Sequence, residues 1–184
     1  MKKLLALFFI ITQFFGCNPD SSVVDPKFTD QSILIGTNIL SESQKNKMEG
    51  IYIVTIGKEK FGGNVVLKWN KNSLSIFGVK LGTNFVLNAG TKNNEIFLEG
   101  KWRYAQSLDI GLVRFTISEE NGANSILNDS INSVIRMIGN YSENDENLDK
   151  EITLEFSRKF SSKTTEKPFY ILAHRGGGRN SDNL

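Results

Sequence analysis

The chain is poor in the residues that build disulfide frameworks and zinc sites. Its 184 residues include one cysteine, one histidine and three prolines. A single cysteine excludes an intramolecular disulfide framework and a cysteine-cluster zinc site. The net charge is also small. The chain has 22 Lys and Arg and 20 Asp and Glu, which gives a formal net charge of +2. Without a basic excess to neutralise phosphates, nucleic acid is not an expected partner.

Apolar residues are present in the amount that one modest core requires. They make up 39% of the chain, which is low for a membrane-spanning protein. Phe, Ile, Leu and Val are plentiful in the middle of the chain, so we do not expect disorder there. One domain of ordinary size fits this length. The composition predicts a soluble β-rich domain, with the functional signals at the two ends of the chain.

Residues 1–17 have the form of a secretory signal. Two lysines precede an apolar run from Leu4 to Ile11, and Gly16-Cys17 follows shortly after. The run is too short to cross a bilayer of roughly 30 Å as a helix, which takes about 20 apolar residues. We therefore predict that residues 1–17 are a signal peptide. Its removal leaves 20 of the 22 basic residues against 20 acidic ones, a neutral chain.

The dipeptide Gly16-Cys17 resembles the bacterial lipobox. The resemblance implies that Cys17 carries a diacylglyceryl group and becomes the first residue after cleavage. Phe14 stands where Leu is commonest, and Phe15 where a small residue is commoner; ordinary signal cleavage is the alternative. Because two or more acyl chains anchor a protein stably, the resemblance predicts a membrane-anchored lipoprotein of the bacterial cell envelope, periplasmic or surface-facing.

Residues 18–44 are predicted to be a tether and lead-in to the folded domain. The segment Asn18–Asp30 holds two of the three prolines together with Ser and Asp, a composition typical of linkers. Further on, Ile33–Ile35 is compatible with a short strand. The sequence Ser41–Gln44 resembles a weak capping box that would open one helical turn.

Residues 45–160 are predicted to form a β-rich accessory domain, because short apolar and β-branched runs alternate there with glycine and asparagine turns. The runs are Ile51–Ile56, Asn64–Trp69, Ser73–Phe77, Asn84–Ala89, Glu95–Tyr104, Leu112–Ser118, Ile135–Tyr141 and Glu151–Phe156. Eight or so short strands at this spacing favour a mainly β fold, a meandering small barrel or sandwich. Residues 127–138 also fit helical spacing, so a short helix leading into a strand near Arg136 is compatible with the same residues.

A glycine precedes an aromatic residue by two positions at three places in this domain. The pairs are Gly50 and Tyr52, Gly100 and Trp102, and Gly139 and Tyr141. Such glycine–aromatic starts faintly resemble those of lipocalin-like small barrels. The physical interpretation is that the glycine permits a bend while the aromatic residue plugs a barrel end.

The β-rich domain offers little chemistry of its own. The acidic run from Glu143 to Glu151 lacks the spacing and glycine of a calcium loop, so a solvated hairpin loop is the favoured interpretation. Four aromatic residues are candidates either for a ligand cup or for core and rim positions, and strand spacing favours the second. These are Tyr52, Trp69, Trp102 and Tyr104. No histidine or cysteine nucleophile is present in residues 45–160, and we predict no catalysis there.

The residues with catalytic potential follow a polar linker at 161–168. The continuous apolar run Phe169–Ala173 suits a strand buried on both faces, as in a parallel sheet. His174-Arg175-Gly176 follows directly and begins a glycine-rich turn. Histidine moves protons near neutral pH, arginine offers a planar fork to two phosphate oxygens, and glycine lets backbone N–H groups approach an anion. We therefore predict a phosphate-binding role for Arg175 and Gly176.

The sequence Ala173-His174-Arg175-Gly176 resembles the signature that ends the first strand in the glycerophosphodiester phosphodiesterase family. The resemblance implies that residues 169–184 begin a (β/α)8 barrel that is incomplete in this chain. It implies a general acid/base role for His174 and phosphate contact by Arg175. It also implies a divalent metal, Ca²⁺ or Mg²⁺, whose ligands are not in this chain.

Two functional hypotheses follow. In the first, the chain is the front portion of an envelope lipoprotein that hydrolyses glycerophosphodiesters to an alcohol and glycerol 3-phosphate. With one histidine and no complete barrel, the 184 residues are then expected to be inactive by themselves. In the second, the chain is a stand-alone lipid-anchored β-barrel that binds a ligand or has a structural role, and residues 169–184 are a tail.

Overall fold

A closed barrel of eight antiparallel strands forms the centre of the computed structural model, which describes residues 25–128 and 134–162. Each strand pairs with its neighbours in the chain, and β8 pairs with β1 to close the sheet. The strands are β1 (Gly50–Ile56), β2 (Asn64–Asn70), β3 (Ser73–Gly78), β4 (Thr83–Lys92), β5 (Glu95–Tyr104), β6 (Ile110–Ile117), β7 (Arg136–Tyr141) and β8 (Lys150–Arg158). The predicted mainly β barrel is confirmed, and closure of the sheet excludes the sandwich.

Three short α-helices accompany the strands in the described part of the chain. They are α1 (Glu42–Met48), α2 (Lys58–Phe61) and α3 (Ala123–Leu127), the last preceded by a 3₁₀ turn at Glu119–Asn121. The predicted capping box is confirmed at α1. The Ser41 hydroxyl accepts from the Gln44 N–H at 3.3 Å, and the Gln44 side chain accepts from the Ser41 N–H at 2.8 Å. Helices long and apolar enough to traverse a bilayer do not occur among the described residues.

Because successive strands run in opposite directions, the connections gather at two ends of the barrel. The α1 end holds α1, α3 and the tight turns at 71–72 and 93–94. The α2 end holds α2 and the loops 79–82, 105–109 and 142–149. At the 93–94 turn both asparagines have positive φ, 53° and 61°, as asparagine tolerates. The predicted Asn93-Asn94 turn is thus confirmed.

Inward-facing side chains fill the barrel. The largest of those below 2% exposure are Trp102, Tyr52, Phe61, Phe85, Phe115, Met48, Leu67, Leu74, Ile76, Leu87, Ile96 and Leu98. Two of the largest buried side chains have bonded polar tips: the Trp102 Nε1–H donates to the Ser142 carbonyl at 2.9 Å, and the Tyr52 hydroxyl donates to the Met48 carbonyl at 2.8 Å. An eight-stranded barrel is just narrow enough for side chains to occupy its interior. The described barrel therefore has a packed core where a lipocalin-like ligand cup would lie.

Glycines from the predicted glycine–aromatic pairs let neighbouring strands of the barrel approach one another closely. A Cβ on Gly100 or Gly139 would lie 2.1 or 2.0 Å from a carbonyl oxygen of the neighbouring strand, far inside van der Waals contact. Trp102 and Tyr141, each two residues later, are buried at the α2 end. The aromatic plug is confirmed at these two positions, whereas the bend at each glycine stays a prediction.

The lead-in from Asp25 to Leu40 lies along the outer wall. It starts where Asp25 pairs with Lys101 of β5 at 2.6 Å, in the α2 half of the barrel. It ends near the α1 end, where Asn38 forms an isolated antiparallel bridge with Thr91 of β4. The lead-in covers part of β4–β6 and then delivers α1 to its place.

Two local expectations need correction. The strand expected at Ile33–Ile35 is wrong, because residues 33–36 form a turn. Gly36 takes a φ of 74°, and both the N–H and the hydroxyl of Thr37 donate to the Leu34 carbonyl. In the ambiguous stretch, the helix α3 ends at Leu127, where the helical pattern was expected to begin. The strand near Arg136 is confirmed as β7, and residues 129–133 lie outside the described residues.

Candidate functional site

The residues that the sequence singled out for chemistry lie outside the described structure. They are Cys17, His174, Arg175 and Gly176, and their roles stay predictions. Across residues 25–128 and 134–162, no group of three or more His, Cys, Asp and Glu side chains is placed to hold a metal ion. The candidate sites in the structure are therefore the places where the barrel could admit or hold a ligand.

The α2 end is closed by Phe61. Its helix α2 spans four residues between two glycines in left-handed conformations, Gly57 at φ 87° and Gly62 at φ 83°, and this tight excursion turns the Phe61 ring into the barrel. The ring centroid lies 4.8 Å from that of Tyr141 and 5.2 Å from that of Trp102, both in edge-to-face geometry. The aromatic cluster seals the interior at the point where a small barrel would open.

Lys60, the neighbour of Phe61, ties three loops together above this seal. Its Nζ lies 3.1 Å from a carboxylate oxygen of Glu143 and 3.8 Å from one of Asp109. The same ammonium lies 5.0 Å from the Trp102 ring centroid and 5.2 Å from that of Tyr104. The Tyr104 hydroxyl donates to the Lys60 carbonyl. A cation held by two carboxylates and two ring faces fixes the loops in place.

The electrostatics of this cluster favour a structural role. Burial by itself would raise the pKa of the Glu143 carboxyl, but hydrogen bonds from Lys150 and Lys60 outweigh it and hold that pKa below its ordinary value. Burial raises the pKa of the Tyr104 and Tyr141 hydroxyls. At neutral pH the carboxylate is therefore charged and paired, while both phenols are protonated. Neither group is set up as a nucleophile or base.

A groove of about 430 Å³ lies on the outer wall over β5, β6 and β7. Cross-strand pairing aligns Phe97, Thr116 and Ile138 in one row across these three strands. Ile33 of the lead-in and Leu148 of the 142–149 loop also line the groove. Its lining thus combines apolar surface with hydroxyl and amide groups from neighbouring residues.

Arg114 lies at the edge of the groove with its donors engaged. Its Nε donates to Glu99 at 3.1 Å, and its terminal nitrogens donate to the Asp30 carboxylate at 2.6 Å and to the Gln31 carbonyl at 3.1 Å. The hydrogen bond from Arg114 holds the pKa of the Asp30 carboxyl below its ordinary value. Because two carboxylates already neutralise this guanidinium, the groove suits an uncharged ligand with one flat or apolar face better than an anion.

A smaller pocket of about 140 Å³ lies at the α1 end beside Trp69 and Lys45. Lys45 is 4% exposed, and its ammonium donates to Glu42, to the Lys71 carbonyl and to Asn72 at 2.7, 3.0 and 3.1 Å. All three N–H groups are used, so the lysine anchors α1 to the 71–72 turn. It is not available to a ligand.

Two further predictions about this domain can be compared with the structure. Most of the acidic run lies in the β7–β8 hairpin loop, as predicted, and Asp145, Glu146 and Asp149 are exposed there; Glu151, the last residue of the run, lies in β8. The four aromatic residues that were candidates for a ligand cup are core or rim residues. Sequence reasoning missed the outer groove and the position of Lys60, because each gathers residues from several strands with no shared motif.

The chain matches no family model, and no curated protein or solved structure is significantly similar to it. Assignment of function therefore depends on the residues themselves.

Proposed function

We propose that this chain is the barrel-bearing part of an envelope lipoprotein that hydrolyses glycerophosphodiesters. In this proposal Cys17 carries the lipid anchor and the barrel is a rigid, non-catalytic support. The chemistry belongs to the Ala173–Gly176 sequence and to catalytic partners that these 184 residues do not contain.

The observation that carries the proposal is the closed interior of the barrel. The core is filled, and Phe61 seals the α2 end, so the barrel suits a support better than a ligand carrier. The last strand ends at Arg158, shortly before the linker that leads to the His-Arg-Gly sequence. A support of this kind would separate an anchored N-terminus from the segment with catalytic potential.

The proposed chemistry assigns one task to each residue of the motif. A water attacks phosphorus, and the P–O bond to the leaving alcohol breaks; where a substrate hydroxyl attacks instead, a second step in which water opens the resulting cyclic phosphate gives glycerol 3-phosphate. His174 takes the proton from the attacking oxygen and delivers it to the oxygen of the leaving alcohol. The Arg175 guanidinium and the Gly176 N–H bind phosphate oxygens. A divalent metal would supply further neutralisation of phosphate charge.

The test is an assay of the native protein, isolated from its membrane with antibodies against the barrel. Release of glycerol 3-phosphate from glycerophosphocholine is measured with Ca²⁺ or Mg²⁺ and after chelation. His174→Ala should lower the rate by about 10² to 10⁴. Arg175→Lys should also be impaired, while its matched control Arg179→Lys, outside the four-residue signature, should retain activity.

The proposal is contradicted if the isolated protein releases no glycerol 3-phosphate, or if His174→Ala is as active as the native sequence. The 184-residue chain alone should be inactive in the same assay, because it contains one histidine and the resemblance requires a second.

A second candidate function is a non-catalytic binding module, and the outer groove is the observation that favours it. The Phe97–Thr116–Ile138 row gives that groove an apolar face with polar neighbours. A ligand bound there should be lost in Ile138→Asp and unaffected by His174→Ala. These opposite outcomes separate the two functions.

A further inference from the structure

Large apolar side chains are exposed at the α2 end of the barrel. The most exposed in its loops are Val79 at 64%, Leu108 at 60% and Leu81 at 38%. Loops 57–63, 79–82 and 105–109 lie side by side at this end. A Cβ on Gly62 would contact the Leu81 side chain at 3.6 Å, and the Ala105 N–H donates to the Gly82 carbonyl at 3.0 Å. Exposed apolar residues clustered in this way mark an interaction surface.

Unpaired cations lie among these apolar residues. Lys58, Lys80 and Arg103 are exposed, and no ion pair or hydrogen bond of their side chains is found among the described residues. Lys80 lies between the two apolar residues Val79 and Leu81 in the same loop. Apolar residues next to free lysines suit the boundary between anionic headgroups and acyl chains.

The chain also enters the fold from this side. Asp25 is held by Lys101 in the α2 half of β5, and the lead-in then runs towards the α1 end. Cys17 precedes Asp25 by eight residues, which span at most about 28 Å. A lipid on Cys17 would therefore lie within reach of the α2 end. The last strand, β8, ends at the α1 end, on the far side of the barrel.

We propose that the α2 end of the barrel binds an anionic lipid membrane. The residues that make the contact, named here the lipid-facing surface, are Lys58, Val79, Lys80, Leu81 and Leu108. The direction of the tether rests on the proposed lipoprotein function, whereas the contact itself rests on these five described residues. The distribution of charged residues among the loops of the α2 end determines which loops face the lipid. The acidic 142–149 loop at the same end would be repelled, and Glu59 is exposed beside Lys58, so the barrel tilts with the 79–82 loop, which holds Lys80 and no acidic residue, towards the lipid.

The test measures binding of residues 18–184, which contain the whole described fold, to vesicles. Vesicles of phosphatidylcholine with 30% phosphatidylglycerol are compared with pure phosphatidylcholine by co-sedimentation at two salt concentrations. We expect binding to the anionic vesicles that weakens with salt. Lys58→Gln and Lys80→Gln should each weaken it about fivefold.

Matched controls lie at the opposite end of the barrel. Val79→Asp should abolish binding, whereas Val134→Asp, at a valine 55% exposed near the start of β7, should leave it unchanged. In the same way Lys71→Gln, in the 71–72 turn, and Lys92→Gln, at the α1 end of β4, should bind like the unaltered chain. Circular dichroism confirms that each variant is folded, which is expected because all the altered side chains are exposed.

A second measurement locates the contact. Residues 18–184 contain no cysteine, so Val79→Cys or Val134→Cys carries one environment-sensitive label. The label at position 79 should be quenched by brominated lipids, and the label at 134 should not.

The proposal is overturned if the anionic vesicles do not bind the chain, or if both ends respond equally. It is also overturned if sedimentation equilibrium shows a dimer that Val79→Asp dissociates, since a second copy would then cover the surface. None of these outcomes affects glycerol 3-phosphate release, so failure here is distinguishable from failure of the proposed enzyme.

Discussion

The seal at the α2 end can be tested by removing the Phe61 ring. Phe61→Ala deletes a fully buried side chain whose ring lies 4.8 to 5.2 Å from the rings of Tyr141, Phe85 and Trp102. Truncations of this kind cost about 3–5 kcal/mol, and most where the site cannot collapse. Collapse is restricted here, because the left-handed glycines on either side of α2 fix its path. We expect a loss of about 4 kcal/mol in the free energy of unfolding.

Equilibrium unfolding in urea, followed by tryptophan fluorescence, measures this loss. With a slope of about 2 kcal/mol per molar urea, a loss of that size lowers the midpoint by about 2 M. Phe77→Ala is the matched control, since Phe77 is the same residue type on the outer wall and is 46% exposed. It should cost less than about 1 kcal/mol.

The reasoning is refuted if Phe61→Ala costs no more than Phe77→Ala, which would mean that the α2 end is not packed as described. A cavity left by the ring should admit a small aromatic probe such as benzene. Stabilisation of Phe61→Ala, but not of the unaltered chain, by benzene would show that the interior becomes accessible only when the seal is opened.

Three further perturbations test the wall, the lead-in and the loop network. Gly139→Ala places a Cβ 2.0 Å from a carbonyl oxygen and should lower the free energy of unfolding by about 1–3 kcal/mol, as measured by urea denaturation. Gly63→Ala is the control, because the nearest atom to its Cβ is 3.6 Å away on a flexible side chain. Arg114→Lys loses the fork that bonds Asp30 and should accelerate amide hydrogen exchange across the lead-in while β1–β3 stay protected. Because the pKa of Glu143 is held below its ordinary value of 4.5, its contribution is present above pH 4.5 and is lost as pH falls further. Glu143→Gln should therefore flatten the stability profile below pH 4.5 in thermal melts, and an unchanged slope there would argue against the ion pairs.

Local signals in the sequence were sufficient for the strands and for one helix start. Strand β5 occupies the residues predicted for it, because apolar and aromatic residues recur through this ten-residue run after the Asn93-Asn94 turn. The capping box at Ser41 was recognisable because its donors and acceptors are three residues apart. The strand prediction at Ile33–Ile35 was wrong because contacts from outside the segment determine its conformation. Three apolar residues favour a strand locally, but the Gly36 turn and contacts with Glu99, 66 residues away, decide its conformation.

The candidate sites divide along the same line. Two candidate sites were recognisable without a structure, the Gly16-Cys17 pair and the Ala173–Gly176 motif. Their residues are adjacent in the sequence, so the pattern can be seen in the sequence itself. The outer groove needed the structure, since strand register sets Phe97 beside Thr116 and Thr116 beside Ile138.

Local patterns along the chain were sufficient to predict short strands joined by turns and aromatic residues that plug the barrel, because period-two alternation and turn chemistry are local properties. Closure of the sheet, the filled interior and the meeting of loops 57–63, 79–82 and 105–109 at the α2 end became visible with the fold. The physical reason is that closure depends on β8 pairing with β1 about 100 residues apart. The packing of the core and the place of each loop follow from that long-range pairing, which no local pattern specifies.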